Sequence, residues 1–175
     1  MDLVEILTDK SIKKMAARGQ IVEGILDGSF GLAAIRQAAE VLKANKVATI
    51  LEAIEEISNK AMMPLEEGFL EFAKAYVKSE NNSCKREASR IVGNMAAQYP
   101  QSLDDVIPVL LENTHDEGTV VRWGSAYALS RIILLDAYSE TALCDQVKAI
   151  CEAEEENGVK NQYVKALKKL ARRKR

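Results

Sequence analysis

Three side chains suited to molecular recognition recur at helical spacing in the second half of the chain. Trp123, the only tryptophan, is followed by Tyr127 one helical turn later and by Arg131 after a second turn. Because residues four apart share one face of an α-helix, this spacing predicts two rings and a guanidinium on a single flank. Such a flank suits a protein-binding hot spot, and it equally suits base stacking with phosphate contacts. A ring that packs against a neighbouring helix pair would instead be structural.

Groups that could act as catalysts or metal ligands form no recognisable arrangement. His115, the only histidine, lies beside Asp116, but no activated nucleophile accompanies them. Cys144 and Cys151 are two helical turns apart, too far for a disulfide, and no histidine cluster completes a zinc site. Adjacent acid pairs diverge by about 100° on a helix, so they do not converge on one substrate atom. We therefore predict no catalytic residue, no metal and no cofactor.

Composition places the chain among single-domain proteins of near-neutral charge. With 175 residues, of which 47% are hydrophobic, it can bury a core without metal or disulfide help. Its 24 basic and 26 acidic residues give a net charge of −2, which excludes a uniformly basic nucleic-acid-binding protein but leaves a local basic patch possible. From Lys160 onward the chain has eight basic residues and no acid. This basic segment closely follows an acidic one, residues 152–156, so the end of the chain has separated negative and positive charge.

The N-terminal residues, the lengths of the apolar runs and the cysteine count favour a cytoplasmic protein. The first ten residues contain acids where a signal peptide needs basic residues, and no apolar run approaches the roughly 18 residues of a membrane span. Three cysteines make an odd count that favours a reducing compartment. We expect a cytoplasmic protein that does not enter a membrane.

Apolar periodicity predicts an all-α repeat architecture. Apolar residues recur at intervals of three and four, and a shift of 38 residues superposes Ala88, Ala126 and Val164. Turn residues divide the chain, taken as one domain of residues 1–175, into about five antiparallel helix pairs. These pairs span residues 1–27, 30–60, 64–98, 102–135 and 139–175. Because a helix pair with one apolar face cannot bury that face alone, the pairs should stack into an α-α superhelix.

The segment from Val106 to Ile132 resembles the HEAT repeat. Its first helix carries Pro108, a turn aspartate follows at Asp116, and Arg122 comes six residues later. The resemblance implies a right-handed α-α superhelix of the armadillo type. It also implies that the proline bends the first helix, and that the aspartate and arginine form a ladder between adjacent repeats.

Other repeats keep only part of this pattern. Glu154 and Lys160 retain the acid and base six residues apart. Cys84 takes the place of Arg122 in the preceding repeat, where only the shifted pair Glu80 and Arg86 could substitute.

The resemblance further implies that the second helix of each pair lines a concave surface. The residues that this predicts for contact with a partner are Trp123, Tyr127, Arg131, Lys85, Ser89, Asn161 and Lys165. A second set predicted for phosphate contact is basic and consists of Arg86, Lys169, Arg172 and Arg173.

Two functions fit this surface. The first is a non-catalytic scaffold or adaptor that binds a protein or peptide in the concave groove. The second is nucleic-acid binding, because one class of alkylated-DNA glycosylases is built from HEAT-like repeats with a basic, aromatic groove. The pI of about 5.6, the single tryptophan and the lack of a groove carboxylate beside the rings argue against glycosylase activity, so we expect no enzyme. A likeness to HEAT-like lyases of bilin pigments would rest on fold analogy alone.

Overall fold

Helices account for 71% of the computed structural model, which describes residues 1–173 and contains no strand within that range. Lys174 and Arg175, the end of the predicted basic tail, lie outside the described residues. The helices are α1 (Leu3–Thr8), α2 (Lys14–Leu26), α3 (Leu32–Val41), α4 (Ala44–Asn59), α5 (Glu67–Tyr76), α6 (Asn82–Met95), α7 (Ile107–Asn113), α8 (Thr119–Ile132), α9 (Ala142–Ala153) and α10 (Asn157–Arg173). A 3₁₀ turn at Pro100–Ser102 precedes α7. The prediction of an all-α repeat architecture is confirmed.

The helices form two layers. Each even-numbered helix packs against the next even-numbered helix, from α2 through α4, α6 and α8 to α10. Helices α1, α5, α7 and α9 each pack against the even-numbered helix that follows, and α3 packs against α1 and α5. We call the even-numbered helices the inner layer, and the side of that layer directed away from the odd-numbered helices the groove face. Fully buried residues such as Ile35, Ile50, Leu70, Ile91 and Leu129 form a continuous core through the array. Within residues 1–173, none of the helices combines the length and apolar composition needed to cross a membrane.

Pro108 lies at the start of a helix rather than in its interior. Helix α7 begins at Ile107, so the proline occupies its first turn, where a missing backbone N–H leaves no hydrogen bond unmade. The expectation that Pro108 bends the first helix of the repeat is therefore wrong. The helix pair predicted from residue 102 has its first α-helix only from Ile107, because a turn occupies residues 104–106.

Two glycines bring α6 and α8 into backbone contact. A Cβ atom added at Gly93 would lie 3.0 Å from the Cα of Ala128, and one added at Gly124 would lie 3.1 Å from the Cα of Arg86. Real Cβ contacts are rarely so short, so only glycine allows this approach without a shift of the facing helix. The centre of the inner layer is thus its most closely packed joint.

The turn carboxylate of the fourth repeat is bound by the repeat before it. Asp116 accepts a hydrogen bond from the backbone N–H of Gly118 at 2.8 Å and one from Lys85 Nζ, also at 2.8 Å. Lys85 therefore belongs to the ladder between repeats. The prediction that it contacts a partner is wrong, because its ammonium is already bound to Asp116. The substitute pair Glu80 and Arg86 is not used, because Lys85, one residue after Cys84, already reaches the aspartate.

The turn carboxylate of the fifth repeat, 38 residues later, repeats this arrangement. Glu154 accepts from the backbone N–H of Glu156 at 2.9 Å and from Arg122 Nε at 3.1 Å. Arg122 also donates to the backbone carbonyl of Asp116 at 3.0 Å, so it joins the acidic turns of two repeats. Lys160 makes no such rung and donates instead to a backbone carbonyl of the preceding helix, at 3.4 Å.

Acidification is expected to weaken the ladder. The Lys85 ammonium outweighs burial and lowers the pKa of Asp116 below its ordinary 3.8. Burial raises the pKa of Glu154, but the N–H of Glu156 and the Arg122 guanidinium outweigh it, so that the pKa falls below the ordinary 4.5. A lowered folded-state pKa gives stabilisation that is present above the unfolded-state pKa and is lost as pH falls through the folded value.

We therefore expect the free energy of unfolding to decrease as pH falls below 4.5. The double substitution Asp116→Asn with Glu154→Gln should be less stable at neutral pH and should lose less on acidification. Urea denaturation at neutral pH and below 3.8 measures both effects. An equal acid loss in wild type and double variant would show that other carboxylates control the acid transition.

Candidate functional site

The predicted recognition residues of α8 come together on the groove face. The rings of Trp123 and Tyr127 stack with centroids 5.5 Å apart and an interplanar angle of 29°. The guanidinium carbon of Arg131 lies 3.5 Å from the Tyr127 ring centroid. Trp123 is half-buried and Arg131 exposed, whereas Tyr127 is only 6% exposed. The tyrosine is therefore a support for the other two side chains more than a contact surface of its own.

A second arginine reaches the same rings from α6. The guanidinium carbon of Arg90 lies 5.5 Å from the Trp123 ring centroid and 5.7 Å from that of Tyr127. Both distances lie within the range of cation–π attraction. The ring pair therefore has an arginine from each of two inner helices.

Arg90 links the ring pair to two carboxylates. Its guanidinium lies 2.8 Å from Glu55 Oε1 and 3.5 Å from Glu87 Oε2. Arg86 lies 2.7 Å from the other oxygen of Glu87. We call Glu55, Glu87, Arg86 and Arg90 the carboxylate–arginine cluster. The expectation that no groove carboxylate accompanies the aromatics is wrong, because α4 and α6 bring Glu55 and Glu87 beside α8.

Both carboxylates of the cluster are largely withdrawn from water. Glu87 is 3% exposed and Glu55 is 7% exposed. Burial raises the pKa of Glu55, although the Arg90 charge opposes the rise. A buried carboxylate is tolerated when a cation and hydrogen-bond donors compensate for lost hydration. The cluster therefore depends on Arg90.

Hydrogen bonds from two neighbouring helices fix the tyrosine. The Tyr127 hydroxyl donates to Asn94 Oδ1 and accepts from Asn59 Nδ2 at 3.2 Å. The amide of Asn94 donates in turn to Ser58 Oγ at 3.0 Å. Because these partners lie on α4 and α6, Tyr127 holds its ring in one position relative to the groove.

The N-terminal half of the groove face is polar and internally paired. A cavity of about 450 Å³ opens there among residues of α2, α4 and α6 and Lys60, which directly follows α4. Lys14 lies 2.6 Å from Glu52, and Arg18 lies 3.3 Å from Glu56. Together with the carboxylate–arginine cluster, these pairs leave none of the four groove carboxylates of α4 and α6 without a cation. Among residues 1–173 no group of three acidic, histidine or cysteine side chains could hold a metal ion.

Several predicted contact residues are placed where they cannot serve as expected. Ser89 is 0% exposed because it lies at the close contact of α6 with Gly124, so it cannot touch a partner. Arg86 is paired with Glu87, which leaves it less available to a phosphate. Sequence spacing could not reveal the burial of Ser89, since it depends on the facing helix, whereas the pair of Arg86 lies within α6.

The predicted residues of α10 remain accessible. Asn161, Lys165, Lys169 and Arg172 are exposed, and none of these three cations forms an ion pair within residues 1–173. Arg173 is exposed too but donates to the backbone carbonyl of Leu134 at 2.6 Å. The basic end of the chain thus extends the inner layer beyond the aromatic pair.

Comparison with known proteins identifies the fold of the chain. No protein-family model matches the chain, and no curated protein sequence does. Among solved structures, one engineered protein has a TM-score of 0.70 at 18% identity over 97% of this chain and 47% of its own. Another engineered protein has a TM-score of 0.64 at 16% identity, with 97% and 78% covered. A designed armadillo repeat protein has a TM-score of 0.63 at 17% identity, with 96% and 80% covered. The chain therefore has the all-helical superhelical fold of armadillo and HEAT-type repeat proteins.

Proposed function

We propose that this protein is a non-catalytic scaffold that binds a peptide segment of a partner protein on its groove face. The observation that carries the proposal is the half-buried Trp123 ring, stacked on Tyr127 and approached by Arg90 and Arg131. Tryptophan, tyrosine and arginine are the residues most enriched at binding hot spots. Here they lie together on an open face of the inner layer.

Rigidity supports this function. The Tyr127 hydroxyl is held by Asn59 and Asn94, so the ring beneath Trp123 is fixed before any partner arrives. A site that is already ordered loses less conformational entropy on binding, and more of the contact free energy then contributes to affinity. Fixed rings on a helix also suit a repeat scaffold, whose binding surface is made of helix faces.

The non-catalytic part of the proposal rests on the state of the groove carboxylates. Glu55 and Glu87 are each bound by an arginine and are largely buried. General acid–base catalysis needs a carboxyl group within hydrogen-bond reach of a substrate proton. Because Glu55 and Glu87 are buried and bound by arginines, they fit a structural role better than a catalytic one. Three buried free thiols support the further proposal of a reducing, cytoplasmic location.

Replacing Trp123 by alanine is expected to weaken peptide binding while leaving the fold intact. Peptides selected from a displayed random library on the wild-type protein should shift Trp123 emission and should lose at least about tenfold in affinity for the Trp123→Ala variant, as expected for a hot-spot aromatic. Tyr76→Ala, on outer helix α5, is the matched control and should bind normally. Selected peptides that bind the Trp123→Ala variant equally well would contradict the proposal.

Nucleic-acid binding is the second candidate. Helices α8 and α10 contain several basic residues and no acidic one, as a phosphate-binding surface requires. Affinity that falls steeply with salt for single-stranded DNA or RNA, together with a Trp123 emission change, would favour it. Base release from alkylated DNA would then test glycosylase activity. Trp123-dependent binding of a peptide in preference to DNA and RNA would support the scaffold.

A further inference from the structure

The two halves of the groove face differ in their unpaired charge. On α4 and α6, the carboxylates of Glu52, Glu55, Glu56 and Glu87 each have a cation within the chain. On α8 and α10 there is no acidic residue at all. The C-terminal half therefore presents cations to solvent, while the N-terminal half presents ion pairs.

Arg131, Lys165 and Lys169 carry this excess charge next to the aromatic pair. Lys165 and Lys169 lie on α10 at the positions 38 residues after Tyr127 and Arg131, and α10 packs directly against α8. All three side chains are exposed, and none forms an ion pair in the described part of the chain. We call Trp123, Arg131, Lys165 and Lys169 the basic strip.

Arg131 is prepared to bind a carboxylate. Its guanidinium carbon lies 3.5 Å from the Tyr127 ring centroid, so one face of the group rests against an aromatic ring. Stacking limits the freedom of the guanidinium and leaves its N–H donors at the edge, where a carboxylate can accept two parallel hydrogen bonds. An exposed lysine on the next helix offers a second charge to the same ligand.

The strip is short. Neighbouring packed helices lie about 10 Å apart, and an extended peptide advances about 3.3 Å per residue. A segment that crosses from α8 to α10 therefore covers the strip with about three residues. Two or three consecutive acidic residues would match the available cations.

We propose, building on peptide binding at the groove face, that the basic strip binds an acidic linear segment of a partner protein. The exposed cations of the basic strip favour an acidic partner. The N-terminal half of the groove face then favours an acidic peptide over a nucleic acid. A nucleic-acid strand that ran on along the groove would meet cations that are already paired with Glu52, Glu55 and Glu87, so its phosphates would gain little there. A peptide can place its acidic residues on the strip and neutral or mixed residues beyond it.

The test uses the full chain and peptides selected from a displayed random library. Selected peptides should be enriched in Asp and Glu. A synthetic peptide with a short run of Glu should bind, and its Gln counterpart should bind at least about tenfold more weakly, because charge-assisted hydrogen bonds are lost. Combining Arg131→Gln with Lys165→Gln should weaken the Glu peptide by a similar factor. Lys148→Gln on outer helix α9 is the matched control, and melting temperatures verify folding.

The possible outcomes separate the two proposals. Peptides that need Trp123 but show no acidic preference would overturn the acidic partner and leave the scaffold standing. An absence of any Trp123-dependent peptide would overturn both. Oligothymidylate that binds more tightly than the Glu peptide, and depends on Arg131, would replace the peptide with single-stranded nucleic acid. Charge reversal by Lys165→Glu should abolish Glu-peptide binding, and unchanged binding would contradict the strip as its location.

Discussion

Substituting Gly124 with valine should lower the free energy of unfolding by about 3 kcal/mol, as expected for overpacking of a close contact. A Cβ atom at Gly124 would lie 3.1 Å from both the Cα and the backbone oxygen of Arg86. These are backbone atoms of α6 and cannot rotate away as the end of a side chain would. The two helices must therefore separate, and the contacts around them are lost. Urea denaturation monitored by far-UV circular dichroism measures the change.

Gly19 provides a matched control for this prediction. It lies inside α2, and a Cβ added there would meet nothing within 4 Å. Replacing an open helical glycine by alanine usually stabilises a protein by about 0.5–1 kcal/mol. Gly19→Ala should therefore be slightly more stable than wild type. If Gly124→Val were as stable as wild type, α6 and α8 would not be in backbone contact.

Replacing Arg90 with alanine should destabilise the protein by about 3 kcal/mol at neutral pH, because breaking a buried ion pair leaves an uncompensated charge. Glu55, 7% exposed, would lose the cation that lies 2.8 Å from it. Lys60→Ala is the control. It removes an exposed cation from Glu56, and such surface pairs contribute at most about 1 kcal/mol.

The pH dependence of the Arg90→Ala variant identifies the cause. Burial already raises the pKa of Glu55, and Arg90 opposes that rise. Without Arg90 the pKa should rise further. A raised carboxyl pKa means that stability is lost as pH increases through the folded-state value. The deficit relative to wild type should thus shrink on mild acidification, and adding Glu55→Gln should recover part of it. A deficit that is constant with pH would indicate lost packing instead.

Repeating features within one helix could be predicted from the sequence. The spacing of Trp123, Tyr127 and Arg131 settles their common flank, because four-residue spacing on a helix leaves little freedom. The 38-residue recurrence of apolar residues likewise indicates a stacked array, since its buried stripes must face one another. In the same way Asp116 and Glu154 occupy equivalent turns and make equivalent hydrogen bonds.

Contacts between helices could not be predicted in this way. Arg90 meets Glu55 only because α4 and α6 pack at a particular offset, and one residue of difference would send its side chain elsewhere. Likewise, the packing of α6 against α8 lets Lys85 reach Asp116 from a position adjacent to the one that the repeat register selects. Ser89 is buried because Gly124 lets two helices approach unusually closely. A linear spacing rule contains no information on that distance.

The joints of the inner layer also differ in mechanical compliance. At α6 and α8 the backbones touch through Gly93 and Gly124, whereas α2 and α4 are bridged by long charged side chains such as Lys14 and Glu52. Under tension, an array of stacked repeats extends first where side chains can reorient without loss of backbone contact. The array should therefore extend more easily at its N-terminal helices than at its centre. Stretching should widen the polar cavity before it disturbs Trp123.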